Sequence, residues 1–137
     1  MTSWRSTGAG GQLQVVVTDL TIALQAATSM RADPASGTIP QAAVTALNSA
    51  NASLRVSTQA AGKNLIPGCV SGANRAEVAA LTDLGRAVAG FDNAVSQSAS
   101  GNYGAAQLTS QTAVAALQTG SAKMATAIVD ANGYGTK

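Results

Sequence analysis

The run Leu81-Thr82-Asp83-Leu84-Gly85-Arg86-Ala87-Val88-Ala89-Gly90-Phe91-Asp92-Asn93-Ala94-Val95 decides the fold class of this chain. Its large apolar residues fall at Leu81, Leu84, Val88, Phe91 and Val95, in alternating steps of three and four. A strand repeats every second residue and a helix every 3.6, so the run reads as one face of a helix.

Three other segments carry the same period. The first repeats at Leu13, Val16/Val17, Leu20, Leu24 and Ala27. The second repeats at Val44, Leu47, Leu54, Ala61 and Leu65, with Asn51 and Thr58 in the same seam. The fourth repeats at Val114, Leu117, Ser121, Met124, Ile128 and Ala131. Breaks fall at Asp33-Pro34-Ala35-Ser36-Gly37, from Pro67-Gly68 to Gly72, at Gly101-Asn102-Tyr103-Gly104 and at Gly133-Tyr134-Gly135, all turn or helix-stop signals. The expected helices are therefore about 11–32, 40–65, 75–99 and 103–131. Pro40 suits a first helical turn, with Thr38 upstream as cap. Asn74-Arg75-Ala76-Glu77 reads as a capping-box variant, and Ser100 or Asn102 as the cap of the last helix. Short loops and near-heptad seams predict an all-α, antiparallel up-down-up-down four-helix bundle with an Ala-rich core. A flexible leader is expected over residues 1–10, a single domain over 11–133 and a tail over 134–137. Gly62, Gly85, Gly90 and Gly120 either weaken these helices or mark close helix approach.

Composition agrees with small-residue packing. Alanine makes up roughly a fifth of the chain, well above average usage, and the aromatics are only Trp4, Phe91, Tyr103 and Tyr134. Charged residues are 10%, so Ser, Thr, Asn and Gln must carry the polar surface. The eight Lys and Arg residues are scattered and give a net charge of +2. Nucleic-acid binding needs clustered cations, so no nucleic-acid partner is expected.

The residue inventory excludes much chemistry. There is no histidine, one cysteine and one glutamate, Glu77. Histidine-based catalysis, His-ligated or thiolate-cluster metals, and di-iron bundle sites all lack their ligands. No catalytic residue, metal or cofactor is therefore expected. Gly62-Lys63 lacks the upstream glycine of a phosphate loop, and Asn51-Ala52-Ser53 fits the glycosylation pattern but falls mid-helix. Cys69 cannot form an internal disulfide, which leaves a buried hydrophobe, a free thiol or half of an intermolecular bridge.

Polar residues that interrupt the seams are the candidate site. Asn48, Asn51 and Arg55 recur at helical spacing on the second segment. They read as a solvated face with one register-setting core Asn, or as the polar lining of a small-ligand site between helices. Asp19, Asp83, Arg86 and Asp92 have the same two readings, with Arg86 placed to pair with Asp83. Trp4 reads as part of a disordered end or as an anchor at the bundle tip.

The residues given contain no secretory leader pattern and no span of the ~18–20 apolar residues that crosses a membrane. A soluble domain is expected, with any membrane contact made through segments outside this chain. Low charge and the absence of histidine point to an exported, extracytoplasmic bacterial domain. Its expected role is non-catalytic interaction or sensing, with a protein partner or small-molecule ligand. The alternative is a structural protein that self-associates, as a homo-oligomer, through Ala-rich helix faces.

Overall fold

A computed structural model of the chain describes residues 9–135, and all its regular structure is helical. The helices are α1 (Ala9–Thr28), α2 (Gln41–Gly62), α3 (Ser71–Ala99) and α4 (Tyr103–Gly135). Each packs on two neighbours, α1 on α2, α2 on α3, α3 on α4 and α4 on α1, which fits a bundle. The α3–α4 pairing is the most extensive. Most of the predicted leader, residues 1–8 with Trp4, lies outside the described residues, as do residues 136–137 of the tail. Ala9, Gly10, Tyr134 and Gly135 are helical instead.

Burial follows a heptad more strictly than the large apolar residues do. On α3 the heptad of buried positions is Ala73, Glu77, Ala80, Leu84, Ala87, Phe91, Ala94 and Ser98, with Asp83 and Val88 buried beside it. On α4 they are Ala106, Ser110, Ala113, Leu117, Gly120, Met124, Ala127 and Ala131. The expected seams are thus one residue out of phase at several steps. Leu81, Val95, Val114 and Ile128 are only partly buried, and Ala80, Ala94, Ala113 and Ala127 hold the centre. The cause is steric, because at two steps the helices approach so closely that even an added methyl group has no room. A Cβ on Gly90 would stand 2.8 Å from the Ala113 Cβ, and one on Gly120 would stand 2.9 Å from Leu84 and 3.2 Å from the Ala80 carbonyl oxygen. Gly62 and Gly85, by contrast, face open space.

The connections correct several expected boundaries. α1 ends at Thr28 rather than near 32, because Met30 turns back into the core and the Ala32 N–H donates to Gln107 Oε1 of α4 at 2.9 Å. Beyond it Asp33 Oδ1 accepts from Ala35 N (2.8 Å), the Asp33 N–H donates to Thr38 O (2.8 Å), and Gly37 takes a φ of 70° that favours glycine. Thr38 therefore closes the turn instead of capping, and Pro40 occupies the cap position of α2. α2 stops at Gly62, leaving Leu65 out of the seam and 36% exposed. α3 starts at Ser71, so Asn74 lies inside its first turns and is not a cap. Gly101, at φ 80°, ends α3 in a Schellman turn, with Asn102 N donating to Gln97 O (2.8 Å) and Gly101 N to Ser98 O (3.0 Å).

The glycine contacts give a sharp expectation. Gly120→Ala and Gly90→Ala should each lower stability by about 1–3 kcal/mol through overpacking, although alanine is the better helix former by about 1 kcal/mol. Gly85→Ala, in open space, should raise stability by about 0.5–1 kcal/mol. Urea denaturation followed by circular dichroism checks all three, and a gain at Gly120 would contradict the packing described.

Candidate functional site

The polar stripe expected on α2 divides. Asn48 is exposed, whereas Asn51 is buried and its Nδ2 donates to the Val88 carbonyl (3.1 Å) and to Asp92 Oδ1 (3.0 Å). Arg55 donates from Nη2 to Asp92 Oδ2. The two α2 side chains thus share one α3 carboxylate, one donor to each oxygen. Arg55 and Asp92 are part-exposed, so their ion pair contributes about 0–1 kcal/mol. The buried Asn51 fixes how α2 sits along α3, because a slip would strand its donors in apolar surroundings. Asn51 Oδ1 is buried without a partner.

A second polar strap joins α3 to α4. Lys123 Nζ donates to Asp83 Oδ2 at 2.7 Å, and the Arg86 guanidinium lies 3.5 Å from Asp83 Oδ1, the pairing expected at that spacing. At the other end of α3, Glu77 is fully buried. Its Oε1 accepts from the Ile66 N–H (2.6 Å), and Asn74 Nδ2 donates to the Ile66 carbonyl (2.7 Å). The pair expected to cap a helix therefore clamps the α2–α3 connection and holds Ile66 in the core. Cys69, in that connection, is a free and exposed thiol, which removes the buried reading.

Cys69 lines a concavity of about 490 Å³ together with Val70, Gly72, Val129 and Asp130. A groove of about 590 Å³ runs between α1 and α2, lined by Gln12, Val15, Asp19, Ala52, Val56 and Ala60, with Ser53 and Ser57. Asn48, Asn51 and Arg55 do not line it. Val15 and Val56 stand 52% and 67% exposed there, large apolar side chains left on the surface. Sequence reasoning named Asp19 but missed the valines, since Val15-Val16-Val17 reads as a continuous apolar run. The usable signal was the interval from Val15 to Ile22, which repeats a heptad position outside the core.

On the exposed faces of α1 and α4, Thr18, Thr21, Thr112, Thr119 and Thr126 each donate their hydroxyl to the carbonyl four residues back, at 2.8–3.2 Å, so these donors are engaged within their own helices. Among the described residues no group of three or more His, Cys, Asp or Glu could hold a metal, and no helix is long and apolar enough to cross a membrane. Comparison with known proteins finds no matching family model, curated protein or solved structure.

Burial holds the Glu77 carboxyl above its usual value of 4.5, partly opposed by the Ile66 hydrogen bond. As pH rises past 4.5, the unfolded chain releases this proton before the folded one does. The contribution of Glu77 to stability is thus fully present below that pH and is lost as pH rises through the raised folded value. Glu77→Gln keeps the acceptor for Ile66 and removes the titration. Its stability relative to the parent should rise steadily across that window in parallel pH-series denaturation, and a constant difference would contradict the assignment.

Proposed function

We propose that the chain is a non-catalytic interaction or sensor domain of a bacterial protein, working outside the cytoplasmic membrane, with the α1–α2 groove as its binding face. The observation that carries this is the groove itself: apolar walls at Val15 and Val56, a single carboxylate at Asp19, and ordered helices on both sides. Ligand sites are commonly concave, mostly apolar and sparsely polar. The non-catalytic reading rests on the inventory. Histidine is missing, Glu77 is sequestered on a loop, and Asp83 and Asp92 are engaged by cations. The exported location rests on composition, and attachment to a membrane would be through segments outside this chain.

The same reading takes the four helices in antiparallel up-down-up-down order around an Ala-rich core. Pairings whose numbers move in opposite directions support it: Gly90 with Ala113 and Gly120 with Leu84 between α3 and α4, and Asn51 with Val88 followed by Ile66 with Glu77 across α2 and α3.

Self-association through α4 is the second reading, favoured by one pattern. Leu108, Ala115, Ala122 and Val129 are all exposed and recur every seven residues. Two copies related by a two-fold axis between Ala115 and Ala122 would set Leu108 against Val129 and alanine against alanine, a self-complementary arrangement.

Cell fractionation with an antibody to the native protein tests the first reading. The chain is expected outside the cytoplasmic membrane, and recovery in the cytosol alone would overturn it. Sedimentation equilibrium separates the second. A monomer is expected under the first reading, and under the second a dimer that Leu108→Glu dissociates.

A further inference from the structure

Asp19 lines both the main α1–α2 groove and the adjoining one of about 250 Å³ that is lined by Ile22, Ala46, Ser49, Ala50 and Ser53. It is the single charged residue lining either groove, and it has no ion-pair partner among the described residues. It is also the only charged side chain on α1, and the only one on α2, Arg55, is engaged by Asp92. Gln12, seven residues earlier and also in the groove, has its Oε1 buried without a partner. The Ser57 hydroxyl already donates to the Leu54 carbonyl. What the groove presents unmatched is one acceptor, the Asp19 carboxylate, beside the exposed apolar side chains of Val15 and Val56.

The complement of that pattern is a donor cation on an apolar body. We propose that the α1–α2 groove binds a small organic amine in its protonated form. Its ammonium sits on Asp19 and its aliphatic or aromatic body lies along Val15 and Val56 toward Gln12. Opposite charge and hydrogen-bond donation fix the head, and burial of apolar surface holds the body. An anionic ligand would face Asp19 with no cation to offset the repulsion, and a neutral apolar one would leave the carboxylate unmatched. The groove is open, so binding is weak, with Kd of about a millimolar for a ligand of this size. This inference rests on the α1–α2 groove being the binding face.

The test is a titration of the full chain at neutral pH with 4-phenylbutylamine, and in parallel with its uncharged counterpart 4-phenylbutanol, followed by two-dimensional NMR. Amine-dependent shifts are expected at Gln12 to Asp19 and Ala52 to Ala60. The alcohol should bind at least about fivefold more weakly, and Asp19→Asn should reduce amine affinity to the level of the alcohol. Added salt should weaken the amine and not the alcohol. The comparison of the two compounds on the unaltered chain needs no variant to fold. Equal binding of amine and alcohol, shifts elsewhere on the bundle, or no shift because another segment or a second copy fills the groove would each overturn the proposal. If the amine fails while the chain is monomeric and fractionates outside the cytoplasmic membrane, the ligand chemistry falls and the interaction-domain reading stands.

Discussion

The close approach of α3 and α4 is the constraint on which the other packing depends. At Gly120 the backbone of one helix comes so near the other that an added Cβ would sit 3.2 Å from the Ala80 carbonyl oxygen. Glycine, alanine and serine fill most of the buried steps on these two helices, and Glu77, Asp83, Leu84, Val88, Phe91, Leu117 and Met124 take the others. Small side chains remove less apolar surface from water per residue, but they bring many backbone and Cβ atoms within dispersion range. The depletion of aromatics follows from the same geometry. The polar contacts then act as register marks: Asp83 to Lys123 between α3 and α4, and Asn51 with Arg55 to Asp92 between α2 and α3.

How much of this was legible in the sequence depends on the kind of information. Helix number and rough extent were legible, because alternation of threes and fours is local and survives without tertiary knowledge. The phase of the seam was not. Leu81 and Val114 outrank Ala80 and Ala113 in hydrophobicity, yet the distance between helices, a property of the pair, selects the alanines. Boundaries failed where a distant partner decides them. Ala32 leaves the helical path for Gln107, and Ile66 is held by Glu77 and Asn74, which sequence alone reads as a cap. Within the candidate site, the shared face of Asn51 and Arg55 was visible as helical spacing, but their common acceptor Asp92 lies 41 and 37 residues away. The groove was legible only through Asp19, since an exposed valine looks like a buried one in a run of three.

Charge is used sparingly, and among the described residues six charged side chains are engaged in contacts that hold the bundle together. Asp83, Asp92 and Glu77 each hold an element in place, whereas Asp19 stands without an ion-pair partner among the described residues in an apolar groove. Five exposed threonines bond their hydroxyls to carbonyls of their own helices. Asp19 is the one charge that lines the α1–α2 groove, which makes its surroundings the place where recognition of a ligand there would be specific.

Native-state hydrogen exchange tests the central claim most directly, because it reads the stability of each helix pair separately. If the α3–α4 contact is the spine of the fold, amides from Ala80 to Phe91 and from Ala113 to Met124 exchange only through global unfolding, while those of α1 open at lower free energy. Protection in α1 and α2 equal to or greater than that of α3 and α4 would contradict the account.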